Sequence, residues 1–451
     1  MGSDAEDRAS AGERLADRFF RECRALFLRA RDALARSRED PAAAHAGALE
    51  LLTRLMALRF LRPDAPLPNR GEVRRALEDT TPLFSGAPPL PWIPDDLLGD
   101  ALSLIGRFPF ARRERDPREP ETAVDPEILA RIHESLAEGA RRRSDAGIFY
   151  TPRAEIALMC RLALVDALTR RLGERHRPLL YRVVFARSPE EKRAADAAAA
   201  VERHWPALDR LLARLTVLDP ACGCGSFLVG MLRLLGDLQA RAARQTGAPE
   251  HRRQHTLAHR LHGADVMEWA CRVARLRLAL AATDLPAAPS APCPALGRQA
   301  SPIRHGDALL EDLFPEVAGG FDIVIGNPPY VRQEAITDPL HPGDGVKPGY
   351  KERLARAAHR AFPGFFGYRE ETGRAARPLD AKSDLYVYFF IRGLALAAPG
   401  GTLCYLTSNS WLDVGYGAAL QELLLRHSRP RLILDSHAER SFSGADVNTV
   451  I

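Results

Sequence analysis

The chain reads as a doubly wound α/β protein with a helical domain in front of it, and three observations carry that reading. From about residue 155, short apolar runs bounded by Gly, Pro or Asp alternate with helical segments, the pattern of a mostly parallel sheet whose ligands sit at the carboxyl ends of its strands. One run ends in a glycine-bearing turn, and another delivers Asn-Pro-Pro-Tyr where a buried strand stops. Ahead of residue 140, apolar residues recur at helical spacing instead. The 451 residues therefore divide into a helical domain with linker, 1–140, and an α/β domain, 141–451.

In order along the chain, Leu15, Phe19, Phe20, Cys23, Leu26, Phe27, Ala30 and Leu34 predict a helix over 11–36, and "AGALELLTRLMALRFL" (46–61) repeats the amphipathic pattern. "PLFSGAPPLPWIPDDLL" (82–98) is a proline-rich connection, and "RFPFARRERDPREPETAVDP" (107–126) is a charged linker. The helix "PEILARIHESLAEGARRR" and the turn "SDAGIFYTP" follow. Strands are predicted at 215–219, 261–266, 321–326, 401–408 and 431–436, and the alanine-rich 193–201 as helix. There is no internal repeat.

Composition narrows the class. An apolar share of 46% with 27% charge belongs to a soluble globular protein, and no run approaches the roughly 20 apolar residues of a membrane span. The start, "MGSDAEDRAS", is acidic and polar where a secretory signal is basic and then apolar, so a cytoplasmic location is expected. Seven cysteines form no CxxC pair and leave one over, which speaks against a disulfide framework or a zinc site. The net charge is +5, and only Lys192, Lys347, Lys351 and Lys382 of the 63 basic residues are lysines. A GC-rich genome accounts for that bias, so arginine abundance is not read as nucleic-acid binding.

Strand "TVLD" ends at Asp219 and enters "PACGCGSFLVGMLRLL". Gly223 and Gly225 let the backbone approach a ligand, and the amino end of the following helix offers free N–H groups. Asp265 ends the next strand, where a carboxylate can accept two ribose hydroxyls. Asp307 follows the third, where one can accept a purine amino group. A helix N-cap is the competing role for each. The spacing from Gly225 to Asp265 exceeds the roughly 20 residues of a dinucleotide fingerprint, which disfavours NAD.

These residues carry a resemblance. "DPACGCGSF" resembles the first motif of S-adenosylmethionine-dependent amino-methyltransferases, commonly DPACGSGxF, with Cys224 in place of serine. "GIFYTP" (147–152) resembles the cofactor motif that precedes the sheet, and its position before the glycine turn is that of the gamma class of N6-adenine DNA methyltransferases. "IGNPPYVRQE", "YKERLARAAHRAF" and "KSDLYVYFFIRGLALAAPGGTLCYLTSNSWL" look like the methylase part of type IIG restriction–modification enzymes and related phage-defence methylases. "LLTRLMALRFL" is similar to the domain preceding it there, so the resemblance covers about 46–451.

The resemblance implies a Rossmann-like methyltransferase sheet. It implies S-adenosylmethionine held by Tyr150, Thr151, Pro152, Asp219, Pro220, Ala221, Gly223, Gly225, Phe227, Asp265, Asp307 and Asn327. The target would be an adenine flipped from double-stranded DNA. Catalysis would fall to Asn327, Pro328, Pro329 and Tyr330. Pro328 and Pro329 stiffen the turn, while the Asn327 side-chain oxygen and the Pro328 carbonyl accept the two hydrogens of the amine. Tyr330 and Phe442 would stack on the base; a core role competes for Phe442. No metal or covalent nucleophile is needed for methyl transfer, and the sequence offers neither; the nearest Pro-Cys pair, Pro292-Cys293, sits in a Pro/Ala-rich loop before the third strand.

The sequence departs from the family in two respects. Pro63-Asp64, "EEK" (190–192) and "DAK" (380–382) do not assemble a PD…(D/E)xK nuclease, so no cleavage is expected. "NTVI" reads as the start of a last strand inserted among the others, so the chain is expected to be truncated there and to lack its target-recognition domain; no DNA recognition sequence is read. Arg332, Lys347, Lys351 and Arg353, in the insertion 331–382, are candidates for DNA phosphate contact or for a solvated loop. Other subunits of a restriction or phage-defence system are expected partners, and a membrane is not. Two rivals stand: a methyltransferase of a glutamine side chain or an RNA guanine amine, and a catalytically silent DNA-binding subunit.

Overall fold

The computed structural model describes residues 14–37, 40–61, 63–64, 66, 69–71, 73–74, 93–115, 120–136, 151–247, 257–282, 302–341, 349–435 and 448–451. Tyr150, Cys293, Lys347 and Phe442 lie outside them. The chain forms two compact units, Met1–Ala140 with Arg275–Ala300 and Arg141–Ala274 with Ser301–Ile451.

The first unit contains α1 (Leu15–Ser37), α2 (Pro41–Leu61), α3 (Asp95–Arg107) and α4 (Glu127–Leu136). Phe19, Cys23, Leu26, Phe27, Ala30 and Leu34 form the buried stripe of α1, as their spacing requires. Helix α2 departs from the expected amphipathic helix, because residues 47 to 57 are buried without interruption. The polar residues within that buried stretch have partners. Glu50 pairs with Arg54 at 2.7 Å one turn away, and the Thr53 hydroxyl lies 2.7 Å from Nε2 of His133 on α4. Charges that neutralise each other within one helix let that helix occupy the centre of a bundle.

In the second unit, α5 (Arg153–Leu172), α6 (Arg177–Phe185), α7 (Pro189–Val201) and α8 (Trp205–Leu212) precede the sheet. Then come β1 (Val217–Asp219), α9 (Ser226–Thr246), β2 (Leu261–Asp265), α10 (Glu268–Ala282), whose residues from Arg275 on count with the first unit, β3 (Ile303–His305) and β4 (Phe321–Gly326). The insertion holds α11 (Tyr350–Ala361), α12 (Pro363–Phe366) and a hairpin of β5 (Tyr368–Arg369) and β6 (Arg374–Ala375). After it come α13 (Leu385–Leu396), β7 (Ala397–Tyr405), β8 (Thr407–Ser408), α14 (Ser410–Asp413), α15 (Gly417–His427) and β9 (Thr449–Val450).

The central sheet has the order β3-β2-β1-β4-β7, and each of its pairings is parallel. Val217 and Ile323 are buried like their alternating neighbours Leu218 and Val324. A strand whose successive residues are all buried is covered on both faces. Leu218, Ala264 and Val324 share a core with Tyr386, Phe390 and Ile391 of α13, while α5 packs against β4, β7 and α9. The order reverses between β1 and β4, so the crevice of a doubly wound sheet opens there.

Two expected strands differ. The run 401–408 splits: β7 pairs with β4, while Thr407 and Ser408 turn away to pair antiparallel with Val450 and Thr449. The run 431–436 is not a strand in its described part. Leu434 and Ile451 exchange both backbone hydrogen bonds at 3.0 Å and Asp435 bridges Val450, but Leu432 and Ile433 stay about half exposed. An apolar run becomes a strand only where a neighbour takes its backbone groups in series.

The insertion leaves and returns through one set of hydrogen bonds: Leu385 N–H to Val331 O at 3.0 Å, and Gln333 N–H to Asp384 Oδ1 at 2.9 Å. Among the described residues, no helix is long and apolar enough to cross a membrane.

Arg241 on α9 is 1% exposed and donates through Nε and Nη2 to Asp196 Oδ1 on α7, at 2.9 and 2.6 Å, and through Nη1 to Val183 O at 2.8 Å. Asp196→Ala removes two of this guanidinium's hydrogen bonds and leaves it Val183 O and Asp237, 3.5 Å away, so a loss of about 3 kcal/mol is expected, read as a lower midpoint in urea denaturation. A midpoint unchanged from the parent chain would remove the pair from the account of stability.

Candidate active site

Four strand ends lie side by side. The registers Asp219↔Gly263, Asp265↔His305 and Leu218↔Val324 set Asp307, Asp265, Asp219 and Asn327 along one edge of the sheet, each at or within two residues of its strand's carboxyl end. The sequence places the first three aspartates at strand ends; the parallel register brings them together with Asn327.

Asp219 is 1% exposed. Its Oδ1 accepts the Ala221 N–H at 3.2 Å, and across the β1–β4 crevice it meets Gly326, where a Cβ would lie 2.6 Å from that oxygen. Only a residue without a side chain lets β4 pass this carboxyl. Burial pushes the Asp219 carboxyl up to about 8, reinforced by Asp265 and opposed by the Ala221 N–H.

The two glycines of the turn serve different ends. Gly225, at φ 81°, would place a Cβ 2.9 Å from the Ala274 Cβ on α10, so it permits close packing. Gly223, at φ 51°, has nothing within 4 Å of that position, so its outer face is open. Helix α9 starts immediately after, with no side-chain cap at its amino end. Phe227, in its first turn, is buried.

Asp265 accepts the Gly223 N–H on Oδ2 at 2.9 Å and the Met267 N–H on Oδ1 at 2.8 Å. Asp307 accepts the Leu309 N–H on Oδ1 at 2.9 Å and the Tyr350 hydroxyl on Oδ2 at 2.9 Å. The bond to the residue two places on is the capping bond that aspartate favours, so the competing role is present at both. Together with the Gly223 and Tyr350 bonds it occupies one lone pair of each oxygen and leaves others for a ligand. Burial raises both carboxyls above their ordinary value, against the hydrogen bonds they accept.

Asn327 is pinned at both ends of its amide. Nδ2 donates to Thr151 Oγ1 at 2.9 Å, and Oδ1 accepts the Tyr330 hydroxyl at 2.6 Å. The same hydroxyl lies 3.3 Å from Leu406 O. Burial raises the Tyr330 phenol, which therefore keeps its proton. Among the described residues, the Pro328 carbonyl receives no hydrogen bond, so it follows Asn327 Oδ1 in the chain as a second acceptor at the mouth of β4.

Sequence reasoning missed four contributors. Gly326 was visible as the residue before Asn327, but its reason is the Asp219 carboxyl on another strand. The Tyr330 hydroxyl was passed over in favour of its ring. Tyr350 reaches Asp307 from 43 residues away, and Asp384 holds the loop after Tyr330 from 51 residues beyond Gln333. Neither spacing gives a signal.

In the insertion, Lys351 Nζ donates to Gln333 O and Oε1 at 3.0 and 2.9 Å, and Arg353 pairs with Asp338. Arg332 is exposed. The fragments of a nuclease motif have other uses. Glu191 closes the capping box of α7 with Ser188, Lys192 pairs with Asp237 at 2.7 Å, and Asp380 accepts the Lys382 N–H at 2.8 Å.

Known proteins share this frame. Residues 259–442 match the Eco57I restriction-modification methylase family. The type II methyltransferase M.XhoI of Xanthomonas vasicola is 30% identical over 216 residues, 48% of this chain and 32% of that protein. M.PaeR7I of Pseudomonas aeruginosa is 29% identical over 133 residues, 30% of this chain and 18% of that protein. Among solved structures, the type IIL restriction-modification enzyme MmeI in complex with DNA superposes with a TM-score of 0.59 at 16% identity, covering 96% of this chain and 56% of MmeI. The type IIG restriction endonuclease BpuSI does so with a TM-score of 0.51 at 16% identity, over 93% of this chain and 38% of BpuSI. The chain thus spans about a third of M.XhoI and about half of MmeI, and the likeness to the two structures establishes the fold.

The raised Asp219 carboxyl has a measurable consequence. Its folded value, about 8, lies above the ordinary 3.8, so between those values the folded chain holds a proton that the unfolded chain has lost. Its contribution is full below pH about 4 and is lost as pH rises towards 8. Asp219→Asn keeps the shape without the charge. Its urea midpoint, relative to the parent chain, should therefore rise progressively from pH 4 to pH 8; a difference independent of pH would contradict burial as the cause.

Proposed function

With an Eco57I-type restriction-modification methylase domain over residues 259–442, the chain is, we propose, an adenine-specific DNA methyltransferase that uses S-adenosylmethionine and acts in the cytoplasm within a restriction–modification or phage-defence system. The observation that carries this reading is the Asn327 amide, held by Thr151 and Tyr330 with a free lone pair on Oδ1, beside the unengaged Pro328 carbonyl.

The residues present fit the cofactor. The open face of Gly223 and the uncapped start of α9 admit a charged ligand against the backbone. The remaining lone pairs of Asp265 suit two ribose hydroxyls, and those of Asp307 an adenine amino group. Asp219, Pro220, Ala221, Gly225 and Phe227 would shape the turn, and Thr151 and Pro152 the edge nearest Asn327; Tyr150 belongs to the same proposal. When bound, S-adenosylmethionine supplies an electrophilic methyl group.

The chain's own part is to make a poor nucleophile competent. An exocyclic amine delocalises its lone pair into the purine ring. Asn327 Oδ1 and the Pro328 carbonyl, accepting one hydrogen each, favour a more tetrahedral nitrogen and aim its lone pair. Both acceptors are fixed before the base arrives, so little reorganisation opposes the reaction. The Tyr330 ring, anchored through its hydroxyl, offers a stacking face of about 1–3 kcal/mol per base, set against a flipping cost of a few kcal/mol. Phe442 would close the other side. That the relatives are type II methyltransferases, and that MmeI was solved with DNA, supports DNA over a glutamine or RNA target.

The decisive measurement is the N6-methyladenine content, by nucleoside mass spectrometry, of plasmid from a methylation-deficient host expressing the chain. Methyladenine should appear and vanish in Asn327→Ala, while S-adenosylmethionine affinity of that variant stays within about threefold. Asp265→Ala should weaken cofactor binding at least tenfold, and an unchanged dissociation constant sinks its ribose role. Cofactor binding with no methyl transfer by the parent chain would favour the silent DNA-binding subunit.

A further inference from the structure

His176 and His204, 28 residues apart, meet in the helical segment ahead of β1, and Glu202 joins them. His176 ends the short turn Glu174–His176 between α5 and α6; Glu202 and His204 lie between α7 and α8. None of the three contributes to the strand-end site. We infer that they bind one zinc-class divalent metal ion, which clamps the start of α6 to the α7–α8 junction.

The spacing suits such an ion. His204 Nε2 lies 3.0 Å from His176 Nδ1 and 3.1 Å from Glu202 Oε2, and His176 Nδ1 lies 3.5 Å from Glu202 Oε2. A tetrahedral ion with bonds of about 2.0–2.1 Å holds its ligand atoms roughly 3.3 Å apart. The two rings are mostly buried, at 14% and 15% exposure, while the Glu202 side chain is 47% exposed. The rings are therefore held, and the carboxylate side admits an ion and a fourth ligand from water.

Proton counting shows what the cluster lacks. The Arg175 guanidinium, which can only donate, gives its Nε–H to His176 Nε2 at 2.8 Å. A neutral His176 then carries its proton on Nδ1 and points it at His204 Nε2. That nitrogen must present a lone pair, and at 3.1 Å the acceptor-only Glu202 carboxylate presents another. Lone pair faces lone pair unless a further proton or a cation lies between them. Two imidazoles and a carboxylate form a donor set that zinc takes readily. On loading, His176 moves its proton to Nε2 and the exposed Arg175 side chain swings into solvent.

The convergence falls at the carboxyl end of α7. Arg203, between Glu202 and His204, has φ 54° and is the one non-glycine residue with positive φ among the described residues. The turn is held by Arg203 N–H to Ala200 O at 3.0 Å and His204 N–H to Ala199 O at 2.9 Å. The two bonds are those of a Schellman cap on α7 with Arg203 at its left-handed position, and this chain reversal carries Glu202 and His204 to the end of the helix. An ion bound only by the folded chain raises its stability by mass action.

The test uses the untagged full chain, stripped with chelator and titrated with zinc against a chromophoric chelator. One equivalent should bind with a dissociation constant in the micromolar range or below, and zinc should raise the thermal midpoint. His176→Gln/His204→Gln should lose at least tenfold in affinity and the thermal response, with S-adenosylmethionine affinity unchanged. If that variant does not fold, Glu202→Gln, at an exposed position, should still weaken zinc at least tenfold. Absence of stoichiometric binding by the parent chain overturns the site, and so does equal binding by the folded variants.

Discussion

The Asp219 carboxyl packed against Gly326 is the contact on which the rest of the site depends. It sits where β1 and β4 run parallel and the strand order reverses. The carboxyl is neutral at neutral pH because burial raises it, so two strands can close around it without an unpaired charge. A Cβ at position 326 would lie 2.6 Å from the Asp219 Oδ1, so the carboxyl or the strand would have to shift at the point where Asn327 leaves β4. The positions of Asn327 and Pro328 relative to the glycine turn follow from this approach, and the turn in turn positions Asp265 through the Gly223 N–H.

A second layer of constraint holds the acceptors still. Asn327 is fixed by a residue before the sheet, Thr151, and by one three places on, Tyr330. Tyr330 spends its hydroxyl on this task, so its ring is anchored at one edge. The loop that follows is secured by the Asp384 carboxylate, which accepts Gln333 N–H and the Tyr416 hydroxyl. Preorganisation here is built from contacts between segments that are remote in sequence, with the strand ends as a rigid base.

That remoteness explains which features the sequence makes legible. Local chemistry reads well: glycines at positive φ, aspartates where strands stop, the stripe of α1, and a rigid Asn-Pro-Pro-Tyr after an apolar run. Features that need two distant segments do not read. The burial of α2 depends on Glu50 and Arg54 neutralising one another, which spacing alone does not separate from a solvated pair. The run 431–436 has strand composition but too few partners. His176 gives no sign of His204, because no motif spans the helices between them.

The Tyr350 hydroxyl ties the insertion to the end of β3 through Asp307. Helix α11 and the third strand end are thereby joined in one equilibrium. Whatever displaces α11 also withdraws the donor that steadies Asp307, and the free energy of that displacement is felt at the carboxylate. Linkage is reciprocal: a group seated at Asp307 alters the resistance of α11 to movement by the same amount. The insertion is therefore a lever whose short arm rests on the edge of the sheet.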